Sequence, residues 1–283
     1  MAHRVELLSL ADDDAADDDT ALWGGARRSV GEGLLLYPNG VDTYDFSSDL
    51  PLVLCADWNS NCVYIIGGGD EQNNYARIHT FGGSADGSDS GGGGEGGPSD
   101  GKERFNRPAD VAIERVDGRR VSDLQLVAVA DFYGGAVRLF SATDGFGYVG
   151  SLRRGRGKRG AKLKRPSGVA WDPSSGLLVV AESGARRLSI FRVVVTIDAV
   201  FASAAINPYL NRLSSSNLDD DDISPPTMGT CARSVHLCDV CADQLGSAVH
   251  APLKGAWAWL AVDVSNEGEV YVADMDNACV HVV

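Results

Sequence analysis

The sequence predicts an all-β fold built from repeated antiparallel sheets. Four segments share a short apolar run that ends in Ala-Asp or Ala-Glu, and a second apolar run begins six residues after each acid. The four segments are Leu52–Asp57, Leu126–Asp131, Leu177–Glu182 and Glu269–Asp274. Helical periodicity is hard to find in this chain of 283 residues with 34 glycines, so strands are expected throughout. Repeats of this kind indicate the architecture before any single residue is considered.

Each repeat contains two β-rich runs joined by a short polar turn, which is typical of a hairpin. The turns occupy residues 58–61, 132–135, 183–187 and 275–277. Asn, Gly and Ser suit such turns because they tolerate positive φ or hydrogen-bond to their own backbone. The acid before each turn is therefore interpreted as a turn former that accepts backbone N–H bonds, in preference to a ligand-binding group.

A further strand is predicted upstream of each hairpin. In three repeats it begins at Pro38, Pro108 or Pro166, and proline is tolerated at the first position of a strand. The last repeat has residues 257–263 there, with a tryptophan where the others have proline. A fourth run follows the hairpin, as in residues 147–152. Each unit is then a four-stranded antiparallel meander, and several units packed radially form a β-propeller, in which neighbouring blades cover each other's faces.

The repeats resemble the NHL repeat of a β-propeller family. The resemblance rests on the Pro-x-Gly-Val start of the first strand, the Val-Ala-Asp hairpin and the Phe-Gly-Gly run at 81–83. It covers most of residues 31–283 and is clearest over about 163–192. It implies a propeller with four recognisable NHL-like repeats, and one degenerate extra blade is an alternative to an insertion before the last repeat. The blade repeats would span about 37–81, 105–152, 163–201 and 257–283.

Two insertions and an N-terminal segment lie outside the repeats. Residues 82–102 are rich in glycine and are expected to form a flexible loop, and residues 203–255 contain an aspartate run and three cysteines. Residues 1–30 hold a second acidic run and a short apolar run, Val5–Leu10. We expect this apolar run to form a strand that completes the last blade and closes the ring, because closure removes exposed edges. The alternative is that the chain forms one part of a larger propeller.

A basic segment connects the second and third repeats. Residues 153–165 carry eight cations in thirteen positions, although the net charge of the chain is −14. Propeller topology places this connection on the same face as the hairpin turns, which add further cations and aromatic rings. The predicted binding residues are Arg153, Arg154, Arg156, Lys158, Arg159, Lys162, Lys164, Arg165, Arg186, Arg187, Trp58, Phe132 and Tyr133.

This face leaves two binding functions open. The resemblance to NHL repeats implies a non-catalytic platform for protein–protein interaction, so a protein partner is the principal expectation. Cations beside aromatic rings are also what single-stranded RNA binding requires, and some NHL propellers bind RNA. The run Gly155-x-Gly157-x-x-Gly160 matches a dinucleotide fingerprint formally, but it precedes Pro166 rather than a helix, so it is not interpreted as a phosphate site.

A metal-dependent hydrolase or lyase is the third hypothesis, because propeller relatives include such enzymes. The predicted axial strands supply Asp42, Asp110, Asp172 and Asp263, of which all but Asp110 are expected at equivalent places. A ring of carboxylates would suit calcium or another hard cation, whereas the simpler interpretation is that these acids cap turns. The chain lacks Gly-x-Ser-x-Gly and His-Glu-x-x-His motifs, so an enzyme is not favoured.

The 203–255 insertion contains a set of residues that could hold zinc. They are Cys231, His236, Cys238, Cys241 and His250. A Cys-x2-Cys pair with another Cys and a His would supply four ligands, but the spacing fits no standard zinc finger. Free thiols are the main expectation, with zinc or a disulfide as alternatives, and no other cofactor is predicted.

The sequence also predicts an intracellular protein that does not associate with membranes. The N-terminus lacks the apolar core of a signal peptide, and the chain contains no Asn-x-Ser/Thr sequon. The most apolar stretch, residues 188–206, contains Arg192 and Asp198 and is a poor membrane span. The oligomeric state is left open.

Overall fold

A computed structural model of the protein describes residues 3–8, 27–44, 52–67, 76–83, 104–115, 125–142, 146–152, 161–197, 230–241 and 259–282. These residues form seventeen β-strands and no helix. All the strand pairs are antiparallel. The prediction of an all-β chain of antiparallel sheets is confirmed.

The described strands form five sheets. The N-terminal sheet comprises β1 (Val5–Leu8) and β2 (Arg27–Val30). Sheet 1 comprises β3 (Pro38–Tyr44), β4 (Leu52–Asp57), β5 (Cys62–Gly67) and β6 (Ala76–Gly82). Sheet 2 comprises β7 (Pro108–Ile113), β8 (Leu126–Asp131), β9 (Ala136–Ser141) and β10 (Gly147–Leu152). Sheet 3 comprises β11 (Pro166–Trp171), β12 (Leu177–Glu182), β13 (Arg187–Ile197) and β14 (Thr230–Cys241). Sheet 4 comprises β15 (Leu260–Val264), β16 (Val270–Asp274) and β17 (Cys279–Val282).

The first strands of sheets 1, 2 and 3 share one irregularity. Pro38 pairs with the acid of its hairpin, and the register then shifts before Gly40. The same shift follows Pro108 and Pro166. Proline has no N–H to give to the ladder, so a bulge beside it loses little pairing. In sheet 4 the register places Leu260, rather than the tryptophan expected from the sequence, at the proline position, and pairing continues without a bulge.

The sheets stack face to face in chain order. Leu54 of sheet 1 packs in one cluster with Val111 of sheet 2, and Ala112 of sheet 2 packs in another with Val169 of sheet 3. Val179 of sheet 3 contributes to a third cluster, with Val262 of sheet 4. Strands covered on both faces need apolar residues at consecutive positions. This explains the near-continuous apolar runs in the hairpins.

The N-terminal strand was expected to complete the last repeat, and the structure corrects this. Strand β1 exists, but it pairs with β2 rather than with sheet 4. Val5 and Val30 pack against a face of sheet 1 that carries Val53 and Tyr64, and this contact buries apolar side chains that would otherwise be exposed. Within the described ranges, no strand pairs with the free edge of β17.

Strand β14 lies inside residues 203–255, which the sequence analysis treats as a loop insertion. It pairs with β13 along almost the whole length of both strands, with one irregularity beside Phe191. The eleven-residue β13 would otherwise present a long unpaired edge, which folded proteins avoid. The composition of β14, with three cysteines and several small or polar residues among twelve, is a weak strand signal, so a propensity argument misses this strand. The acidic runs at 12–19 and 219–222 and most of the glycine-rich insertion lie outside the described residues.

Candidate functional site

The acid at the end of each hairpin's first strand accepts a backbone N–H, as the sequence predicts. Asp57 is fully buried. Its carboxylate accepts N–H bonds from Leu36 at 2.6 Å and Tyr37 at 3.0 Å, which precede the first strand of the same sheet. It also accepts N–H bonds from Asn59 and Ser60 in the turn. The carboxylate therefore holds the turn against the connection that enters the sheet.

The corresponding acids of sheets 2 and 3 are also buried and pair with arginines. Asp131 accepts the N–H of Asn106 at 2.7 Å and the Nε–H of Arg138 at 2.9 Å. Glu182 accepts two N–H bonds from Arg187, at 2.8 and 2.9 Å. Burial raises the pKa of Asp131, and the neighbouring arginine opposes this effect. Arg187, one of the predicted binding residues, is committed to this internal ion pair.

Hydrogen bonds join each hairpin turn to the connections beside it, so that turns and connections form one continuous surface. The links between successive segments are Trp58 N–H to Tyr37 O (2.9 Å), Arg107 N–H to Asn61 Oδ1 (2.8 Å), Phe132 N–H to Arg107 O (3.2 Å), Leu163 N–H to Gly135 O (2.9 Å) and Ser183 N–H to Arg165 O (3.1 Å). We call residues 36–37, 58–61, 104–107, 132–135, 161–165 and 183–186 the cationic strip.

The cationic strip differs in charge from the chain that carries it. Its segments contain six cations and no acidic residue, whereas the chain has a net charge of −14. The cations are Arg104, Arg107, Lys162, Lys164, Arg165 and Arg186. Lys162 and Lys164 are exposed, and Arg165 and Arg186 are half-buried. The predicted residues Arg153, Arg154, Arg156, Lys158 and Arg159 lie outside the described part of the connection.

The three predicted aromatic residues meet in one cluster on this face, together with Trp259. The ring centroid of Trp58 lies 5.1 Å from that of Phe132 and 5.5 Å from that of Trp259. The ring of Phe132 stacks on Trp259 at 5.3 Å and meets Tyr133 edge-on at 5.0 Å. Phe132 is buried, while Tyr133 is 49% exposed. Sequence reasoning did not single out Trp259, although it immediately precedes the first strand of sheet 4, the position that Tyr37 holds in sheet 1.

Carboxylates occur on the first strands of sheets 1, 2 and 4, each of which is an edge strand of its sheet. Asp42 of sheet 1 accepts the N–H of Ile113 in sheet 2, at 2.8 Å. Asp110 of sheet 2 accepts the N–H of Val169 in sheet 3, at 2.9 Å. These N–H groups belong to edge strands and have no ladder partner on that side, so each carboxylate satisfies a donor of the next sheet. Asp263 instead accepts the N–H of its neighbour Val264.

Asp172 does not belong to this group. In register, Asp42 corresponds to Asp263, whereas Asp172 comes after the last paired residue of β11. Its carboxylate accepts bonds from Ser174 and Ser175 in the following turn. The expected equivalence of all three residues is therefore wrong, because Asp172 comes six residues after Pro166 whereas Asp42 comes four residues after Pro38, and both strands carry the same bulge.

Burial also raises the pKa of the Asp110 carboxyl group, to about 7. The bonds from Val169 and Val111 oppose this effect, and Asp42 and Asp263 raise the pKa further. The folded protein therefore holds this proton more tightly than the unfolded chain does between the ordinary pKa of 3.8 and about 7. Consequently, stability should decrease as the pH rises through this window and should level off above it.

We expect Asp110→Asn to remove this part of the pH dependence. Relative to the native protein, the variant should gain up to roughly 4 kcal/mol of stability between about pH 4 and pH values above 7, because its side chain does not ionise. Near pH 4 it should be the less stable of the two, since an amide has one acceptor oxygen for the N–H groups of Val111 and Val169. Urea denaturation at a series of pH values measures the difference. Asp276→Asn, at an exposed turn residue, is the control. A constant difference between the Asp110 variant and native protein at all pH values would contradict the assignment.

The predicted zinc ligands lie on or beyond strand β14. Cys231, His236, Cys238 and Cys241 are all on this strand, and His250 lies outside the described residues. An extended strand rises about 3.3 Å per residue, so Cys231 is roughly 23 Å along the strand from Cys238. One tetrahedral site cannot use both cysteines. In the ranges that the structure covers, no group of three His, Cys, Asp or Glu side chains is arranged to hold a metal ion.

No helix among the described residues is long and apolar enough to cross a membrane.

Comparison with known proteins gives little further information. No protein-family model and no curated protein sequence matches this chain. Among solved structures, the chain is similar to a chain of Kuenenia stuttgartiensis hydrazine synthase, with 13% sequence identity and a TM-score of 0.36. That match covers 87% of this chain and 71% of the other. At this TM-score the similarity carries no argument about fold or function.

Proposed function

We propose that the protein is an NHL-type β-propeller that acts as a non-catalytic platform for protein–protein interaction. The propeller arrangement is supported by the way in which the first strands approach one another. Gly40 of sheet 1 lies against Asp110 of sheet 2, and Gly168 of sheet 3 lies against Val262 of sheet 4. Trp58 of sheet 1 also meets Trp259 beside sheet 4. Contacts of this kind are expected when sheets surround a common axis as blades.

The observation that carries the functional proposal is the cationic strip. It joins turns and connections of three sheets through hydrogen bonds, and its segments contain six cations and no acidic residue. The acids that border it, Asp57, Asp131 and Glu182, are fully buried and hydrogen-bonded internally. Lys162 and Lys164 are exposed, so the strip presents positive charge on a chain whose net charge is −14. Positive charge of this kind steers a partner of opposite charge to one face.

Single-stranded RNA is the alternative partner, and the aromatic cluster argues against it. Base stacking requires ring faces that are accessible to a base. The rings of Trp58, Phe132 and Trp259 pack against one another instead, and Phe132 is buried. The exposed ring of Tyr133 is the remaining member of the cluster. This packing is better suited to supporting the turns than to stacking successive bases.

A metal-dependent enzyme receives less support from the site. The carboxylates on the first strands accept backbone N–H bonds, and Asp42 also pairs with Arg115. Such carboxylates stabilise the contact between sheets. This structural role explains their position, and no catalytic role is needed to explain it. An enzymatic role would be indicated if a divalent cation raised the melting temperature, since preferential binding to the folded state stabilises it.

Affinity capture tests the platform proposal. Tagged native protein should retain protein partners after nuclease treatment, and Tyr133→Ser should lose most of them because this exposed ring lies in the middle of the cationic strip. Arg192→Ser, at an exposed position of β13, serves as the control and should behave like the native protein. Partners that disappear with nuclease would favour RNA, and partners unaffected by Tyr133→Ser would place the interaction elsewhere.

A further inference from the structure

The two ends of the cationic strip differ in chemistry. Leu36 and Tyr37 have relative exposures of 54% and 50%, so one end presents apolar surface. The exposed lysines Lys162 and Lys164 lie at the other end, between the turns of sheets 2 and 3. A ligand that follows the whole strip would therefore meet apolar groups first and positive charge afterwards. The strip is thus polarised along its length.

The backbone of the basic end is held in place. Gly184 donates its N–H to the carbonyl of Lys164 at 3.0 Å, and Leu163 donates to Gly135 at 2.9 Å. Lys162 and Lys164 are therefore mounted on a connection that is hydrogen-bonded to turns on both sides. A pre-formed backbone lowers the entropic cost of binding, because less chain has to be ordered when a partner arrives.

Two arginines of the strip have left-handed backbone conformations. The φ angles are +62° at Arg107 and +52° at Arg165, and both residues immediately precede a proline. Residues other than glycine rarely adopt a left-handed backbone conformation, because it costs about 1–3 kcal/mol per residue. The carbonyl groups of both arginines accept an N–H from the adjoining turn, and these bonds hold the strained conformation. Arginine is thus kept at two corresponding positions despite the strain, where glycine would fit the backbone better.

We propose that the cationic strip binds an acidic peptide segment of a partner protein, with an apolar residue of that segment at the Leu36–Tyr37 end and its carboxylates along Lys162 and Lys164. This inference rests on the proposed function and specifies the chemistry of the partner. The positive charges of Lys162 and Lys164 complement carboxylates of the peptide. The apolar surface of Leu36 and Tyr37 complements a hydrophobic side chain of the same peptide. A nucleic acid would use the same cations but has no apolar group to place against Leu36, and the packed rings offer it little stacking surface.

Fluorescence anisotropy with synthetic probes tests the inference on the full chain. One peptide of about twelve residues, roughly 40 Å when extended, has Phe-Leu at one end and glutamates in the remainder. A matched peptide has glutamine in place of every glutamate, and a uridine oligonucleotide of similar length represents RNA. The glutamate peptide should bind most tightly, and its affinity should fall as salt rises from about 50 to 200 mM.

The variant Lys162→Glu/Lys164→Glu should weaken binding of the glutamate peptide by at least about tenfold. Lys162→Gln/Lys164→Gln should give an intermediate loss. Arg192→Glu, which reverses an exposed charge in the middle of β13, opposite the first residue of β12, should change the affinity less than about twofold. Thermal melts of every variant check that the fold is retained.

Three results would overturn the inference. They are tighter binding of the uridine oligonucleotide with the same charge dependence, equal binding of both peptides, and no effect of the lysine variants. If one of them occurs while Tyr133→Ser still abolishes protein capture, the platform proposal survives and only the partner chemistry is wrong. If Tyr133→Ser also leaves capture unchanged, the cationic strip is not the binding surface, and if native protein retains no partner after nuclease treatment, the platform proposal itself fails.

Discussion

Replacing Glu182 by alanine should lower the free energy of unfolding by about 3–5 kcal/mol. Glu182 is fully buried, and its carboxylate accepts hydrogen bonds from the Arg187 guanidinium and from the Ser189 hydroxyl at 2.6 Å. It also accepts the N–H of Lys164 at 2.6 Å. The Arg187 side chain is only 12% exposed, so truncating its partner leaves a largely buried cation without its carboxylate. Removing one partner of such a pair costs more than the pair itself contributes.

Urea denaturation of the variant measures this loss, and two further variants identify its cause. Glu182→Ala combined with Arg187→Leu should recover part of the stability, because it also removes the cation that has lost this carboxylate. Glu267→Ala removes an exposed carboxylate and should change stability by less than about 0.5 kcal/mol. A loss below about 1 kcal/mol for Glu182→Ala would mean that water or another group replaces the carboxylate easily.

The second large effect is expected at the glycines of the first strands. Gly40→Ala and Gly168→Ala should each destabilise the protein by about 2–4 kcal/mol, at or above the usual range for overpacking. A Cβ at Gly168 would lie 2.9 Å from the backbone N of Val262 and 3.2 Å from the Cα of Ala261. A Cβ at Gly40 would overlap the backbone and carboxylate of Asp110. Both obstacles include backbone of the next sheet, which cannot rotate away as a side chain end can.

Gly33→Ala distinguishes this crowding from the conformational preference of glycine. Gly33 has a φ of +76°, but a Cβ added there would have no atom within 4 Å. The substitution should therefore cost only the backbone strain, about 1 kcal/mol. If Gly40→Ala and Gly168→Ala cost no more than Gly33→Ala in thermal or urea unfolding, the first strands of neighbouring sheets are further apart than the structure indicates.

Local signals accounted for much of what could be predicted. Asp57 and Asp274 were correctly interpreted as turn formers, because each accepts a backbone N–H from a residue two or three positions further along the chain. The strands beginning at Pro38, Pro108 and Pro166 were identified because proline restricts its own neighbourhood in the chain. Continuous apolar runs such as Leu126–Asp131 predicted buried strands. All these signals involve residues that are close in sequence, which explains why they can be recognised in a single sequence.

The predictions that were wrong or missing concern contacts between residues that are far apart in the sequence. Strand β14 was taken for part of a loop because its pairing with β13 spans a long separation in sequence and its composition is a poor strand signal. The N-terminal strand was assigned to the wrong neighbour because the sequence of an edge strand does not indicate which other strand it pairs with. Trp259 was not assigned to the aromatic cluster, since its contacts with Trp58 and Phe132 come from distant parts of the chain.

The sequence by itself determined that this protein is an all-β chain, where its hairpins turn and that one of its connections is strongly basic. These properties depend on local backbone preference and on composition, and both can be counted along the chain. Only the tertiary structure decided that Arg187 is buried in an ion pair while Lys164 is exposed, and that Gly40 meets Asp110. Burial, charge pairing and close approach depend on which sheets pack together, and that choice is made by the summed contacts of residues far apart in sequence.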